Sequence, residues 1–158
     1  MRGNDKVIDE LNAALKAELT TISQYIVHAE MCENWGYKRL AGYIKKQAIG
    51  EMGHAERLIE RVLFLDGTPR VDIMLAPNIG AGVKAQLEND LSGELDAIRQ
   101  YNAAVAVCVQ AGDNGSRELF ESLVKDEEEH ADFLEAELHK IAEIGLDNYL
   151  AQQMHNGE

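Results

Sequence analysis

Prolines in this chain are confined to one short stretch, at Pro69 and Pro77, so residues 1–68 and 78–158 contain none. A proline inside a helix removes a hydrogen bond and kinks or breaks it, so these two stretches permit long uninterrupted helices. The alternating apolar pattern of strands, bounded by turn residues, does not occur in them. The sequence therefore predicts an all-α protein, and its 158 residues are expected to form one domain over 1–158.

Glycines and capping residues divide the chain into four long helices and a short one. The predicted helices are about Asp5–Trp35, Lys38–Asp66, Gly82–Ala111, Ser116–Ile144 and Asp147–Met154. Asn4 or Asp5 is expected to cap the first helix, and Gly67 to take the position after the second. The connection over Gly67–Ala81 is long enough to run the length of a bundle, so helices two and three are expected to be parallel. The predicted fold is therefore a four-helix bundle with one long crossover and a short fifth C-terminal helix.

The charge balance restricts the partners of this protein. Asp and Glu number 28 against 15 Lys and Arg, for a formal charge of −13. That sign argues against nucleic acid and anionic membranes as partners, and it favours cations. The N-terminus lacks the apolar stretch of a signal peptide, and the apolar runs are too short to span a bilayer, so the cytoplasm is the expected location. Cys32 and Cys108 are expected far apart, free and reduced.

The two halves of the chain resemble each other at an offset of 76 residues. The offset pairs apolar, glutamate, tyrosine, cysteine and histidine positions. These pairs are Leu11/Leu87, Leu15/Leu91, Glu18/Glu94, Leu19/Leu95, Ile22/Ile98, Gln24/Gln100, Tyr25/Tyr101, Cys32/Cys108, Gly36/Gly112, Glu51/Glu127, His54/His130, Ala55/Ala131 and Leu58/Leu134. The two helical hairpins therefore look like copies of one another.

Within this repeat, each hairpin has one glutamate on its first helix and a Glu-x-x-His on its second. Glu and His three apart lie on one helix face, and a single such pair is commonly a solvated pair. Two pairs, each 33 residues after a glutamate in the same context, instead predict a shared site. The predicted ligands are Glu18, Glu51, His54, Glu94, Glu127 and His130. Asp126, Glu128 and Glu129 adjoin Glu127, but the offset selects Glu127, and the other three are expected to be solvated or to support the ligands.

Four carboxylates and two imidazoles form an oxygen-rich set that suits a pair of iron or manganese ions better than zinc or copper(I). Two divalent ions would balance four carboxylates. Glu51 and Glu127 are expected to bridge the two ions, and Glu18 and Glu94 to bind terminally. This donor set is the one described for ferritin-like di-iron proteins.

The motifs that carry a family resemblance are MRGNDKVIDELNAALKAELTTISQY, NWGYKRL, EMGHAERLIERVLFLDGTP, PNIG, DEEEH and IGLDNYLAQQM. Together they resemble bacterioferritin over essentially the whole chain. The resemblance implies a ferritin-like bundle whose di-iron centre, held by the six residues above, is the catalytic site of a ferroxidase. It also implies a 24-subunit shell, built from dimers, that oxidises iron(II) with dioxygen or hydrogen peroxide and stores ferric mineral.

Met52 lies about 100° round the helix from Glu51, so it is expected to face the bundle exterior as a packing or interface residue. The resemblance implies a larger role, in which Met52 from two subunits binds one haem b. Leu19, Ile22 and Ile26 would then form apolar walls. By the same resemblance, the haem would pass electrons from a small iron–sulfur ferredoxin to the stored iron.

Several other residues leave open questions. Tyr25 is either a core aromatic residue or a redox or supporting tyrosine beside the metal, and Tyr101 is expected to be a core residue. His28, His139 and His155 have no repeated partner and are expected at the surface. Lys46, Gln47 and Gly50 stand where some relatives carry His, Glu and Asp, which puts an additional iron site on the inner surface in doubt.

Two other function classes remain open. A manganese catalase, a rubrerythrin-like peroxidase or an oxygenase subunit would use the same bundle, although the chain has no Cys-x-x-Cys pair for a rubredoxin-like module. A non-catalytic bundle would require the paired Glu-x-x-His spacing to be accidental.

Overall fold

The computed structural model describes residues 1–72 and 74–155. These residues form five helices, and no strand occurs among them. The helices are α1 (Asp5–Asn34), α2 (Lys38–Phe64), α3 (Val83–Ala111), α4 (Asn114–Ile144) and α5 (Leu146–Gln152). The predicted all-α bundle is therefore confirmed. In the described part of the chain no helix is both long and apolar enough to cross a membrane.

The direction of each helix follows from its contacts. Short turns make α1 and α2, and likewise α3 and α4, antiparallel neighbours. Hydrogen bonds from Gln24 to Asp90 and from Tyr101 to Glu18 join α1 to α3 with the residue numbers running in opposite directions. Since α2 and α3 both run opposite to α1, they are parallel to each other, as the long crossover predicts.

The crossover lies along α1, which binds it at intervals of one or two turns. Asn12 accepts a hydrogen bond from the Arg70 N–H at 2.8 Å, and Thr20 accepts one from the Leu75 N–H at 3.1 Å. Further along, the Gln24 side chain accepts from Asn78 N–H and His28 Nε2 from Gly80 N–H. These side chains satisfy backbone donors of a segment without regular secondary structure.

His28 corrects one prediction. It was expected at the surface but is fully buried, with Nδ1 2.9 Å from Asp90 Oδ1 and Nε2 accepting the Gly80 N–H at 3.0 Å. An accepting Nε2 requires the proton on Nδ1, so the neutral ring donates to Asp90. His139 and His155 are exposed, as expected.

All helix ends lie within two residues of the predicted positions, and two of the differences have a clear local cause. Asn4 caps α1 by accepting the Lys6 N–H at 2.9 Å. After α2, however, the left-handed residue is Asp66, at φ 58°, and not Gly67. Gly67 is required for space instead, because a Cβ there would lie 2.9 Å from the Ile8 side chain. The fourth helix also begins earlier than predicted, at Asn114, because Asp113 is its cap.

Two apolar clusters fill the bundle, one towards each end. The first includes Leu11, Leu58 and Phe120, and the second includes Leu40, Leu87 and Leu134. Cys108 lies in the first cluster and Cys32 in the second, and both are free, so the expectation of separate thiols is confirmed. Between the two clusters lies the polar middle of the bundle.

Asp113 ties α4 to α2. Its carboxylate accepts the Ser116 N–H at 2.9 Å, the Ser116 hydroxyl at 2.8 Å and an Arg61 guanidinium N–H at 2.8 Å. Partial burial raises the pKa of Asp113, but the hydrogen bonds from Ser116 and Arg61 outweigh this effect and hold the pKa below its usual value. The carboxylate therefore stabilises the fold in its ionised form.

We expect Asp113→Ala to lower the free energy of unfolding by about 2 kcal/mol at neutral pH, since it removes a helix cap and leaves Arg61 unpaired. Denaturant unfolding followed by circular dichroism measures this loss. Folding lowers the pKa of Asp113. Its contribution to the free energy of unfolding is therefore complete above the usual Asp pKa and is lost as the pH falls through the lowered value. The control, Asp132→Ala at an exposed position of α4, should change the stability by less than about 0.5 kcal/mol. An equal loss in both variants would contradict this interpretation.

Candidate metal centre

The structure brings all six predicted ligand residues into one cluster at the middle of the bundle. Each of the four long helices contributes one glutamate, and α2 and α4 each add the histidine one turn later. The side chains form two overlapping groups whose potential ligand atoms lie within 4.8 Å of one another. The first group is Glu18, Glu51, His54 and Glu127, and the second is Glu51, Glu94, Glu127 and His130.

Glu51 and Glu127 belong to both groups, and each turns one oxygen to each histidine. Oε2 of Glu51 lies 3.1 Å from His54 Nδ1, and its Oε1 lies 3.0 Å from His130 Nδ1. Oε1 of Glu127 lies 2.9 Å from His54 Nδ1, and its Oε2 lies 3.4 Å from His130 Nδ1. Carboxylates placed in this way have the geometry of bridging ligands for two ions.

Glu18 and Glu94 each approach a single histidine. Glu18 Oε1 is 3.5 Å from His54 Nδ1, and Glu94 Oε1 is 3.6 Å from His130 Nδ1. The two imidazole rings are nearly parallel, with their centroids 6.4 Å apart. The arrangement has the approximate twofold relation that the 76-residue repeat implies.

Burial leaves this polar cluster short of hydrogen-bond partners. None of the four glutamates is more than 2% exposed. Among the described residues, Glu18 Oε2, Glu51 Oε1, Glu127 Oε1 and His130 Nδ1 are buried atoms without a hydrogen bond. Unsatisfied buried oxygens are costly, and cations would satisfy them. The donor set and its orphan atoms therefore fit a pair of oxygen-preferring divalent ions.

The buried carboxyl groups and histidines of the cluster shift one another's pKa values. Burial, together with the neighbouring Glu51 carboxylate, raises the pKa of Glu18 well above its usual value, and burial and Glu127 act in the same way on Glu94. Burial opposes protonation of His130, but the surrounding carboxylates outweigh it and raise the His130 pKa to about 12. The pKa of His54 is raised for the same reason. The pKa values of Glu51 and Glu127 are lowered, because their close contacts with both histidines and with a neighbouring carboxyl group outweigh the effect of burial.

Two tyrosines each hold Glu18 or Glu94 from the opposite helix. The Tyr25 hydroxyl on α1 donates a hydrogen bond to Glu94 on α3. The Tyr101 hydroxyl on α3 donates one to Glu18 on α1 at 2.6 Å. Burial raises the pKa of both hydroxyls, so both stay protonated. Tyr25 thus lies beside the cluster. Tyr101 is a buried core residue, as expected, and its position as the repeat mate of Tyr25 is the signal that could also have predicted its contact with Glu18.

Asp126 contacts His54, and the repeat did not predict this contact. Its Oδ2 lies 2.9 Å from His54 Nε2, the ring nitrogen that points away from the cluster. The offset of 76 residues gives no support for it, because the equivalent position is Gly50. Glu128 and Glu129, the other acids of that run, are exposed.

The remaining predicted residues lie outside the cluster. Met52 is 47% exposed on the outer side of α2, as its position on the helix predicts. Ile26 is equally exposed, whereas Leu19 and Ile22 are partly buried against the core. Lys46 and Gly50 are exposed, and Gln47 is partly buried beside a small cavity at His130.

Comparison with known proteins agrees with this fold. The family model described as the ferritin-like domain matches residues 8–144. The chain therefore belongs to the ferritin-like proteins.

Its relatives narrow the class further. A bacterioferritin of Rhodobacter capsulatus is 46% identical over 92% of this chain and 90% of its own length. Bacterioferritins of Brucella melitensis and Mycolicibacterium paratuberculosis are 43% and 37% identical, covering 94% and 96% of this chain and 92% and 96% of their own lengths. Within the ferritin-like class, the chain is a member of the bacterioferritin family.

Metal binding should displace protons from this cluster. The pKa values of Glu18, Glu94, His54 and His130 are all raised, whereas metal ligands must be deprotonated, so binding of two divalent ions should release protons. Anaerobic addition of Mn(II) in weak buffer with a pH indicator measures the release. Because protons and metal compete, the affinity should rise between about pH 6 and about pH 8. A pH-independent affinity with no proton release would contradict this account.

Proposed function

We propose that this protein is an iron-storage ferroxidase, in which Glu18, Glu51, His54, Glu94, Glu127 and His130 are both the metal ligands and the catalytic residues. The observation that carries the proposal is the pair of carboxylates, Glu51 and Glu127, each turned to both histidines in a buried pocket. Membership of the bacterioferritin family supports iron(II) as the substrate and a 24-subunit shell, built from dimers, as the container for ferric mineral.

Two bound iron(II) ions would supply two electrons, one from each ion, to dioxygen or hydrogen peroxide. The residues of this chain set the conditions for that transfer. Four carboxylates compensate the charge of the ions, and they tolerate a higher charge on oxidation because carboxylates can change their binding mode. Tyr25 and Tyr101 hold Glu94 and Glu18 at fixed positions, while the apolar clusters on both sides exclude bulk water. The cytoplasm is part of the same proposal, and the two free thiols fit a reducing compartment.

Stepwise aerobic addition of Fe(II), with the iron content and mass of the assembly measured after each step, tests the storage function. We expect an assembly of 24 chains that retains far more than two irons per chain. Retention of only two per chain would favour the di-iron or di-manganese redox enzyme, of the catalase or peroxidase type, and an absence of tight binding would overturn both. Glu127→Gln should slow the initial oxidation by more than about tenfold. The matched control is Glu128→Gln, which changes the neighbouring exposed acid and should leave the rate unchanged.

We also propose that Met52 is the axial ligand of a haem b shared by two subunits, as its counterpart in the family resemblance implies. Met52 follows Glu51, so it lies at the level of the metal cluster but on the outer side of α2. Its thioether, a known haem ligand, is half-exposed, and Ile26 and Ile49 expose apolar surface on the same pair of helices. These features fit a flat apolar group held between two copies of this face. A small iron–sulfur ferredoxin would then supply electrons through the haem to release stored iron.

Met52→Leu should abolish the haem absorbance after reconstitution with haem b, while the initial rate of iron(II) oxidation stays within about twofold. Absorption spectra and stopped-flow measurements on the same samples separate the two effects. Met74→Leu, at a similarly exposed methionine on the crossover, should retain the haem. If Met52→Leu lost haem and oxidation together, or retained the haem, the assignment of Met52 would be wrong.

A further inference from the structure

The two histidines of the cluster differ in what holds the outer side of the ring. His54 Nε2 lies 2.9 Å from Asp126 Oδ2, so this ring is held at both nitrogens. In residues 1–72 and 74–155, the carboxylates within 4.0 Å of His130 all face its Nδ1, and its Nε2 makes no hydrogen bond. The ring of His130 is therefore held from one side only.

This difference arises where the repeat is broken. Asp126 precedes Glu127, and the residue equivalent to Asp126 in the first hairpin is Gly50, which precedes Glu51. The second hairpin thus supplies a carboxylate to the outer nitrogen of His54, but the first hairpin supplies none to the outer nitrogen of His130. Space does not explain the glycine, since a Cβ at position 50 would have no neighbouring atom within 4 Å.

The surroundings of His130 also leave its ring more freedom. The His130 side chain is 17% exposed, against 8% for His54. A cavity of about 10 Å³, close to the size needed by one water molecule, lies against His130 and is lined in part by Tyr43, Gln47 and Asp90. The Oε1 of Gln47 is buried and makes no hydrogen bond to the described residues, so Gln47 does not take the place of the missing carboxylate.

A carboxylate on the outer nitrogen matters for metal binding. It keeps the proton on Nε2, so that the Nδ1 lone pair faces the metal, and it fixes the plane of the ring. Loss of such a partner typically lowers metal affinity by about 10- to 100-fold. The other ligands do not distinguish the two positions, because Glu51 and Glu127 serve both and each position has one further glutamate.

We propose that the two metal positions are unequal: the position at His54 binds a divalent ion more tightly than the position at His130, and Asp126 is the positioning residue that creates the difference. The inference rests on the proposed function, since it requires that the cluster binds two ions. It implies that the centre fills in order, with the ion at His130 binding last and leaving first.

Anaerobic titration of the assembled protein with Co(II) tests the proposal. Calorimetry measures the affinity of each binding phase, and the visible absorbance of Co(II) reports the ligand environment. We expect two binding phases separated by about 10- to 100-fold in the parent protein. His130→Ala should remove the weak phase and His54→Ala the tight one. Asp126→Ala should weaken the tight phase by about 10- to 100-fold, and Asp126→Asn, which keeps an accepting oxygen, should weaken it less.

Gly50→Asp is the complementary variant, which should raise the affinity of the position at His130. The open space at position 50 accepts the side chain, and aspartate costs a helix no more than glycine does. This variant should tighten the weak phase and bring the two phases together, whereas Gly50→Ala should leave both unchanged. Combining Gly50→Asp with Asp126→Ala should make the His130 position the tighter one.

Equal affinities in the parent protein, or two phases that persist unchanged in Asp126→Ala, would overturn the inference while leaving the di-metal centre intact. A protein that binds no Co(II) at this cluster would instead overturn the proposed function. The spectra of the variants separate a lost ring contact from general damage, because only the Co(II) bands of the position concerned should shift.

Discussion

The structure depends on burying four carboxylates in the middle of a helical bundle. Isolated buried charges are too costly to be retained, so they must be neutralised. Without metal, the raised pKa values of Glu18, Glu94, His54 and His130 favour protonation of these groups, which offsets part of the negative charge of the carboxylates. Four ionised glutamates and two neutral histidines would balance two divalent ions. Protons and metal ions therefore compete for the same buried groups.

The rest of the fold positions this polar layer. The apolar clusters at the two ends, around Leu11 and Leu87, supply the burial that a layer of acids cannot supply for itself. The hydrogen bonds of Tyr25 and Tyr101 connect α1 to α3 across the layer. The two histidines of the cluster lie on α2 and α4. Because every long helix contributes one glutamate, no single hairpin holds a complete site. Assembly of the site and packing of the two hairpins are thus one event.

Most of the fold and the six-residue cluster could be predicted because both are periodic in sequence. Missing prolines and apolar spacing mark the helices, and the repeat selects Glu127 from a run of four acids. His28, which has no repeated partner, is buried and not at the surface, because the crossover supplies the Gly80 N–H. For Asp126 the sequence left two alternatives open, a solvated acid or one that supports a ligand, and its contact with His54 on another helix agrees with the second. Such contacts depend on how distant elements pack. At Asp66 the sequence favoured the neighbouring glycine, but packing against Ile8 uses that glycine for space.

The repeat is followed closely inside the cluster and broken outside it. Tyr25 and Tyr101 exchange equivalent contacts with Glu94 and Glu18, whereas Asp126 has no counterpart at Gly50. Two ions in this centre would therefore have the same kinds of ligands and different surroundings. Any difference between them in affinity, exchange or order of loading must then come from groups that touch the ligands and not from the ligands themselves. In a pseudosymmetric centre, such neighbouring groups are where a division of labour between two chemically identical ions can arise.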